Sequence, residues 1–565
     1  MPKSNFLSLF KSFLYVGIFI TTISNVAFSD GLGNEEVLTE GKKDISKIKD
    51  NSLLWVDLNT TKAIVSSKSP VYVKINDFNI IGPKKYKFDI YTNILESYIG
   101  KLVDFNVLKN VVTNIGVFYK NHGYPVNFAF IPGQHINNGV VTIVLVEVKY
   151  DNIIINNKTS ISNNILKSYF AGEQPGRNID INVLNKDLLS TSEFPYTQIN
   201  TVLSPGTKPA TSNLTVNATE QKYVGSVGIS DYGDPYLGSM VLSAYAQVNN
   251  LLGIPDTLNV SGMSSFGGFN TGRIAYDALL NKYGTHIGAY YSAMNYRLGL
   301  GITPINYPAN ENVLSSLGSS GYGQVMGVYV KHPILRTKNS VIAAKMIYEH
   351  DIWSDTISQA LGQFNNRYID SITAEIDGDI KHKNNETTFM GSLTPYNLST
   401  TSKASIDPYA STDQGIRYIW KAIASTTQNL ENNNQFYLSA SGQLSSGGSI
   451  DPMEEMVFGG ENSIRAYPTA VLFAASGVTL NAELRHFYTY VSNTVEPFAF
   501  FDAGGFTYAG DWYNLFGPGL GVVWNYLPWD VSSKFEIAMP IGYIPYMVGS
   551  PENYQAWFSV TKNFK

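Results

Sequence analysis

The second half of the chain alternates between apolar and polar residues with a period of two. Ile372, Ala374, Ile376 and Ile380 alternate with Thr373, Glu375, Asp377 and Asp379. Phe436, Leu438 and Ala440 alternate with Gln435, Tyr437 and Ser439; Val478, Leu480, Ala482 and Leu484 alternate with Thr479, Asn481, Glu483 and Arg485. Successive side chains of a strand point to opposite faces, so each segment has one apolar face and one charged or amide face. From about residue 222 no helical period competes. Two structures satisfy such a pattern: a soluble sheet with one wet face, and a transmembrane barrel with lipid outside and water within. Residues 222–565 would give each of about sixteen strands, with its connection, about 21 residues, which suits ten-residue spans; fourteen or eighteen strands also fit.

The stretch 71–221 reads differently. Val71 to Ile81 is strand-like, and Phe105, Leu108, Val112, Ile115 and Tyr119 then recur at helical spacing behind Asp104, a candidate N-cap. His122-Gly123 ends that helix. Val126 to Ile131 and Val140 to Val148 read as strands joined through Asn138-Gly139, a hairpin signal. A second unit repeats the order. Asn152 to Ile155 is a strand, Ile181, Leu184 and Leu188 mark a helix, and Gln198 to Leu203 and Asn213 to Ala218 flank a Pro205-Gly206 turn. Two small α/β modules, at 71–149 and 150–221, therefore precede the alternating region at 222–565.

The N-terminus and the lack of helical spans add weight to the barrel reading. Lys3 and Lys11 precede an apolar run from Phe13 to Ile20, and Ala27-Phe28-Ser29 supplies the small residues of a signal-peptidase site. Residues 1–29 read as a secretory signal peptide rather than a retained anchor, because the run is short for a span. No later segment approaches 18 uninterrupted apolar residues, so entry into a membrane would have to be as a closed barrel. Residues 30–70 are polar and read as a linker. Composition agrees: charged residues are only 15% while aromatics reach 13%, with 48 Gly for turns. The net charge of −5 without a basic stripe excludes nucleic acid as an expected partner. The absence of cysteine excludes disulfides, thiolate metal sites and a Cys nucleophile. The seven histidines are scattered, with no H-E-x-x-H or G-x-S-x-G frame, so neither an enzyme nor a metal or other cofactor is expected.

Short motifs then give a specific resemblance. Tyr119-Lys120-Asn121-His122-Gly123-Tyr124 and Ile131-Pro132-Gly133-Gln134 in the first module, with Leu203-Ser204-Pro205-Gly206 and Ser212-Asn213-Leu214 in the second, resemble the two POTRA domains of the two-partner secretion transporters, the TpsB (ShlB/FhaC/HecB) family. Lys331-His332-Pro333-Ile334-Leu335-Arg336 and Ser441-Gly442-Gln443 resemble its strand signatures. Phe458-Gly459-Gly460 followed by Ser463-Ile464-Arg465-Ala466-Tyr467 resembles its sixth extracellular loop, and Phe500-Phe501-Asp502-Ala503-Gly504 its F-x-D-x-G strand. The motifs stand in family order from about 71 to the C-terminus. The resemblance implies a mainly β protein: a C-terminal antiparallel outer-membrane barrel of about sixteen strands behind two periplasmic α/β POTRA domains.

It further implies that the sixth loop folds into the lumen, where Arg465 meets Asp502. Gly123, Tyr124, Pro132 and Gln134 are expected to shape the POTRA fold rather than touch cargo. The implied function is secretion, without nucleotide hydrolysis, of a partner exoprotein carrying the family's N-terminal secretion domain. The adhesin, haemolysin and contact-dependent toxin classes all remain open. Outer-membrane lipid and lipopolysaccharide would surround the barrel. The insertion machinery would read its last strand, where Phe558, Val560 and Phe564 share a face. A BamA- or TamA-like insertase is the alternative; a plain porin would not explain the tandem modules. Four points depart from the family pattern. Lys565 follows Phe564, where the aromatic usually stands last. Ala466 replaces the loop-tip glycine, so a left-handed backbone there would be strained. Ala210 stands where Gly is frequent. The family's pore helix would fall at residues 30–50, where no motif identifies one.

Overall fold

The computed structural model describes residues 53–55, 72–82, 88–298, 319–357, 362–400, 415–447, 450–545, 548 and 553–564. The signal peptide at 1–29, the pore helix considered at 30–50 and Lys565 lie outside the described residues.

The chain divides into two units, one of which holds both small modules. After β1 (Leu53–Trp55), the first module runs β2 (Val73–Lys74), β3 (Asp77–Ile81), α1 (Phe88–Leu95), β4 (Leu102–Val103), α2 (Phe105–Asn121), β5 (Phe128–Phe130) and β6 (Val140–Val146). Its main sheet is ordered β3–β6–β5. The strand expected over 71–81 is divided, because Ile75 turns to bond with the 100–101 segment: its N–H reaches Lys101 O at 3.0 Å and its carbonyl takes Gly100 N–H at 2.7 Å. Asp104 caps α2 by accepting the Val107 N–H at 2.9 Å, satisfying one of the donors a helix start leaves orphaned. Leu108, Val111, Ile115 and Tyr119 bury the stripe that packs with β6. Phe105 is exposed, and Val111 rather than Val112 is fully covered. Steps of three and four admit either residue; the helix's placement on the sheet decides between them.

The second module runs β7 (Lys149–Lys158), α3 (Asn163–Tyr169), α4 (Ile181–Ser190), β8 (Thr197–Pro205) and β9 (Thr211–Glu220), with sheet order β1–β8–β9–β7. β1 lies parallel to β8, with Leu53 opposite Thr201 and Trp55 opposite Leu203. The helices α1 and α3 are not foreseen from sequence, since eight and seven residues hold too few repeats to declare a period. Asn138 and Gly139 both take positive φ, as their sequence suggests. However, β5 ends at Phe130, so they close a longer connection rather than a two-residue hairpin.

The other unit is a closed barrel. Its strands are β10 (Tyr223–Ser230), β11 (Val241–Asn249), β12 (Asp256–Ser264), β13 (Phe269–Leu279), β14 (His286–Arg297), β15 (Ser319–Arg336), β16 (Ser340–Ile357), β17 (Gly362–Lys381), β18 (Asn385–Thr400), β19 (Gly415–Asn429) and β20 (Asn434–Ser445). The long connection that follows carries a hairpin of its own, β21 (Met456–Phe458) with β22 (Leu472–Ala474). The wall resumes with β23 (Gly477–His486), its continuation β24 (Tyr488–Thr489), β25 (Asn493–Tyr508), β26 (Asp511–Tyr526), β27 (Val531–Ala538) and β28 (Gln555–Phe564). Since β23 and β24 pair with the same β25, the described residues form sixteen antiparallel wall strands, closed by β28 on β10 with Phe564 opposite Gly225.

The alternation is realised as two faces. Ile372, Ile376, Leu480 and Leu484 lie exposed on the outside, whereas Thr373, Thr479 and Glu483 are buried. Closing the sheet satisfies every strand's backbone, which a hydrocarbon environment demands. β10 starts at the end that continues from the modules. The short turns at 250–255 and 337–339 therefore share that end, and the 446–476 loop belongs to the opposite one.

Candidate functional site

The 446–476 loop does not project into solvent: it is packed against the inner wall. Phe458, Ile464, Ala466, Tyr467 and Leu472 from the loop share one core with Phe498, Phe500 and Phe506 of β25 and Leu515 of β26. At the centre sits Arg465. Its Nε and Nη2 donate to Asp502 Oδ2 and Oδ1 at 2.9 and 2.7 Å, a two-pronged contact, while its backbone N–H adds a third bond to Oδ2 at 3.0 Å. Nη1 reaches Glu483 Oε1 at 2.7 Å and Glu536 Oε1 at 2.8 Å. The guanidinium carbon lies 3.5 Å from the centroid of the Phe500 ring, a cation–π contact. Trp557 Nε1 donates to the Arg465 carbonyl at 2.7 Å. Asn481 Nδ2 bridges Ser463 O at 2.6 Å and Asp502 Oδ1 at 2.9 Å.

Side-chain exposure is 3% for Arg465, 8% for Glu483 and zero for Asp502 and Glu536. Water is thus kept from the cluster, and the contact belongs to the class in which one lost partner strands buried charge. Lys534 supplies a second cation, 2.8 Å from Glu461 of the loop and 3.2 Å from Glu536. The motifs point to Asp502 alone as the partner of Arg465. Glu483 lies on a polar strand face that names no partner, and Glu536 is marked as inward only by its alternation with the outward Phe535 and Ile537.

The loop's fit depends on glycines on both sides. Gly459 and Gly460 take φ of +88° and +91°, and a Cβ on Gly459 would lie 2.1 Å from Pro468 O. On the wall, a Cβ on Gly504 would lie 2.2 Å from Ile464 Cδ1, and one on Gly517 would lie 2.3 Å from Ala466 Cβ. Ala466 keeps a negative φ, so the strain expected there does not arise. The methyl is housed where Gly517 leaves room.

The motif of the first module has a different place. Gly123, at φ +91°, ends α2 and its carbonyl accepts the Ile181 N–H at 2.8 Å. The Tyr124 hydroxyl donates to Asp180 Oδ2 at 2.7 Å, and Asp180 Oδ1 caps α4 by accepting the Asn182 N–H at 2.9 Å. Gly123 and Tyr124 therefore join the first module to the second. Gln134 does a separate task. Its amide accepts the Thr142 N–H at 2.7 Å and donates to Thr142 O at 2.8 Å, extending the β5–β6 ladder where the chain has left it; Pro132 O lies 3.4 Å from the same Nε2.

Paired α/β modules ahead of a sixteen-stranded barrel whose long loop is held inside by an arginine define an outer-membrane POTRA–barrel protein. Residues 73–147 match the POTRA domain of ShlB type, and residues 211–523, more than half of the chain, match the haemolysin secretion/activation protein family ShlB/FhaC/HecB. The chain belongs to that family of TpsB outer-membrane transporters, whose POTRA domains are periplasmic. It is 26% identical over 420 residues to the heme/hemopexin transporter protein HuxB of Haemophilus influenzae, covering 72% of this chain and 71% of that protein. The fold resembles that of CdiB from Escherichia coli, with a TM-score of 0.65 at 18% identity over 94% of this chain and 97% of that one. It also resembles BamA from Haemophilus ducreyi lacking POTRA domains 1–3, with a TM-score of 0.53 at 15% identity over 87% and 100%.

Proposed function

We propose that this transporter secretes a single partner exoprotein of the adhesin, haemolysin or contact-dependent toxin class. The POTRA modules catch the cargo's N-terminal secretion domain in the periplasm, and the barrel passes it outward. The observation that carries this reading is the loop seated in the lumen by Arg465. A barrel of sixteen strands encloses room for an aqueous channel, and a loop held there by polar contacts is a stopper that cargo can displace. The names of HuxB and CdiB, a heme/hemopexin transporter and an outer membrane transporter, favour transport over barrel insertion.

Capture uses strand addition, in which main-chain bonds give affinity and side-chain pockets give selectivity. At the β8 edge an incoming strand must displace β1; β7, β3 and β5 are the other edge strands of the two sheets. The proposal includes no catalytic residue, cofactor, metal or nucleotide. Cargo that folds outside cannot return, and this supplies the direction.

Deleting the gene separates the readings. An exporter's loss traps one secreted protein in the periplasm and leaves other outer-membrane proteins at normal abundance; depletion of many barrels would instead identify an insertase. Purified residues 71–221 should bind the cargo's N-terminal region in calorimetry, and an absence of binding there would remove the capture step.

A further inference from the structure

Away from the Arg465 cluster, the wall holds a second buried arginine that grips the same loop. Arg367, on the inner face of β17, donates from Nη1 to both carboxylate oxygens of Asp451 at 2.8 Å, and from Nη2 to Asp355 Oδ2 on β16 at 2.9 Å. Asp451 lies in the first limb of the 446–476 loop. Side-chain exposure is 4% for Arg367 and Asp355 and 2% for Asp451. Asp355 in turn accepts the Tyr296 hydroxyl of β14 at 2.5 Å.

The wall is shaped for this arrangement. Tyr296, Gly321 of β15 and Asp355 stand in register on adjacent strands, and a Cβ on Gly321 would lie 2.5 Å from the Tyr296 ring and 2.6 Å from Asp355 Oδ1. Gly323, Trp353 and Arg367 occupy the neighbouring row. Below the ion pairs, Ile450 and Met453 of the loop join one core with Trp353, Ile369 and Ile419 of the wall. Asp355 and Arg367 lie near the strand ends opposite the end at which β10 begins, which is the extracellular mouth for a barrel whose first strand continues from the periplasmic side. This contact shares no residue with the Arg465 cluster, which is placed toward the middle of β25.

We propose that Arg367 is a second positioning residue for the loop, a mouth latch that pins the loop's first limb through Asp451 and must open together with the Arg465 contact before cargo can pass. The inference rests on the reading of this loop as the channel's stopper. A guanidinium suits the task because its fork serves two carboxylates at once, which an ammonium cannot do with fixed geometry.

The test is single-channel recording of the full-length protein in planar bilayers, with heat-modifiable mobility as the check on barrel assembly. Asp451→Asn should raise the open fraction about tenfold, the size expected for a lost charge-assisted hydrogen bond. Arg367→Met should raise it further, since it takes the cation from both Asp355 and Asp451, and Arg367→Lys should fall between Arg367→Met and the parent. Asp451→Asn combined with Arg465→Ala should open the channel more than either change alone. Parent-like closure in Asp451→Asn, while Arg465→Ala opens the channel, overturns the latch and leaves the stopper standing. Closure in Arg465→Ala as well would overturn the stopper, and the latch with it. Should Arg367→Met fail to assemble, Asp451→Asn decides the matter, because it alters only the loop.

Discussion

The barrel and the POTRA pair each use a short motif to join two parts, and they do so by different physics. In the barrel, one guanidinium sits among three carboxylates that water does not reach. In the POTRA pair, a neutral phenol bonds the capping carboxylate of the next module's helix, beside a glycine that lets two backbones meet. Buried charge makes a contact stiff while it is complete and costly once any member leaves. The phenol–carboxylate bond involves no buried cation, and its loss leaves Asp180 still capping the Asn182 N–H. The difference suits a stopper with distinct seated and released states on one side, and a joint with a single state on the other.

The comparison breaks most visibly at Arg465. Arg465→Ala strands buried carboxylates and should weaken the loop's seating by about 3–5 kcal/mol. Export of cargo into the medium should fall at least tenfold, because a loop no longer held in one orientation leaves the channel open but does not order a path for cargo. The heat-modifiable barrel should persist, because the strand ladder does not involve this side chain. Parent-like export would remove Arg465 from the mechanism.

A smaller effect is expected at the joint. Tyr124→Phe deletes the hydroxyl bond to Asp180 and should destabilise residues 71–221 by about 1–2 kcal/mol in urea unfolding. An unchanged midpoint would show that the glycine contact alone suffices.

Glu173 of the second module extends the comparison to a buried acid. Burial, with the Asp187 carboxylate beside it, pushes its carboxyl up to about 8 from an ordinary 4.5. The folded module therefore keeps this proton after the unfolded chain has released it. Its contribution to stability is whole below pH 4.5 and is lost as pH rises toward 8. The unfolding midpoint of residues 71–221 should decline over that window, and Glu173→Gln should flatten the decline. A decline of equal slope in the variant would assign it to other groups.

The least change belongs to Ala210, which holds φ +56° in the turn between β8 and β9. Ala210→Gly relieves a left-handed alanine and should stabilise the fragment by about 1 kcal/mol or less, readable as a higher thermal midpoint.

Much of this was legible along the chain. The alternation in 372–380 and 478–485 is a local property, set by each residue's distance from its neighbours in a strand, and it gave the strands and their apolar face; the signal peptide and the motif order pointed from there to a barrel. The Asp104 cap and the helix end at His122-Gly123 are local too, and the structure places them there. Where the pattern was short it failed, as at α1 and α3, or left the choice between Val111 and Val112 open. Motif order brought Arg465 and Asp502 together, although the spacing between them carries no geometry.

By itself, then, the sequence determined which residues face lipid, where the small modules lie and which arginine to watch. Only the tertiary structure decided that Glu483 and Glu536 join Asp502 around Arg465, that Gly517 makes room for Ala466, and that Arg367 meets Asp451 across 84 positions of chain. The reason is closure. A strand's periodicity fixes the face a side chain takes, while the stagger of sixteen strands around a ring fixes which of those inward residues stand at the same height, and no local pattern encodes that stagger.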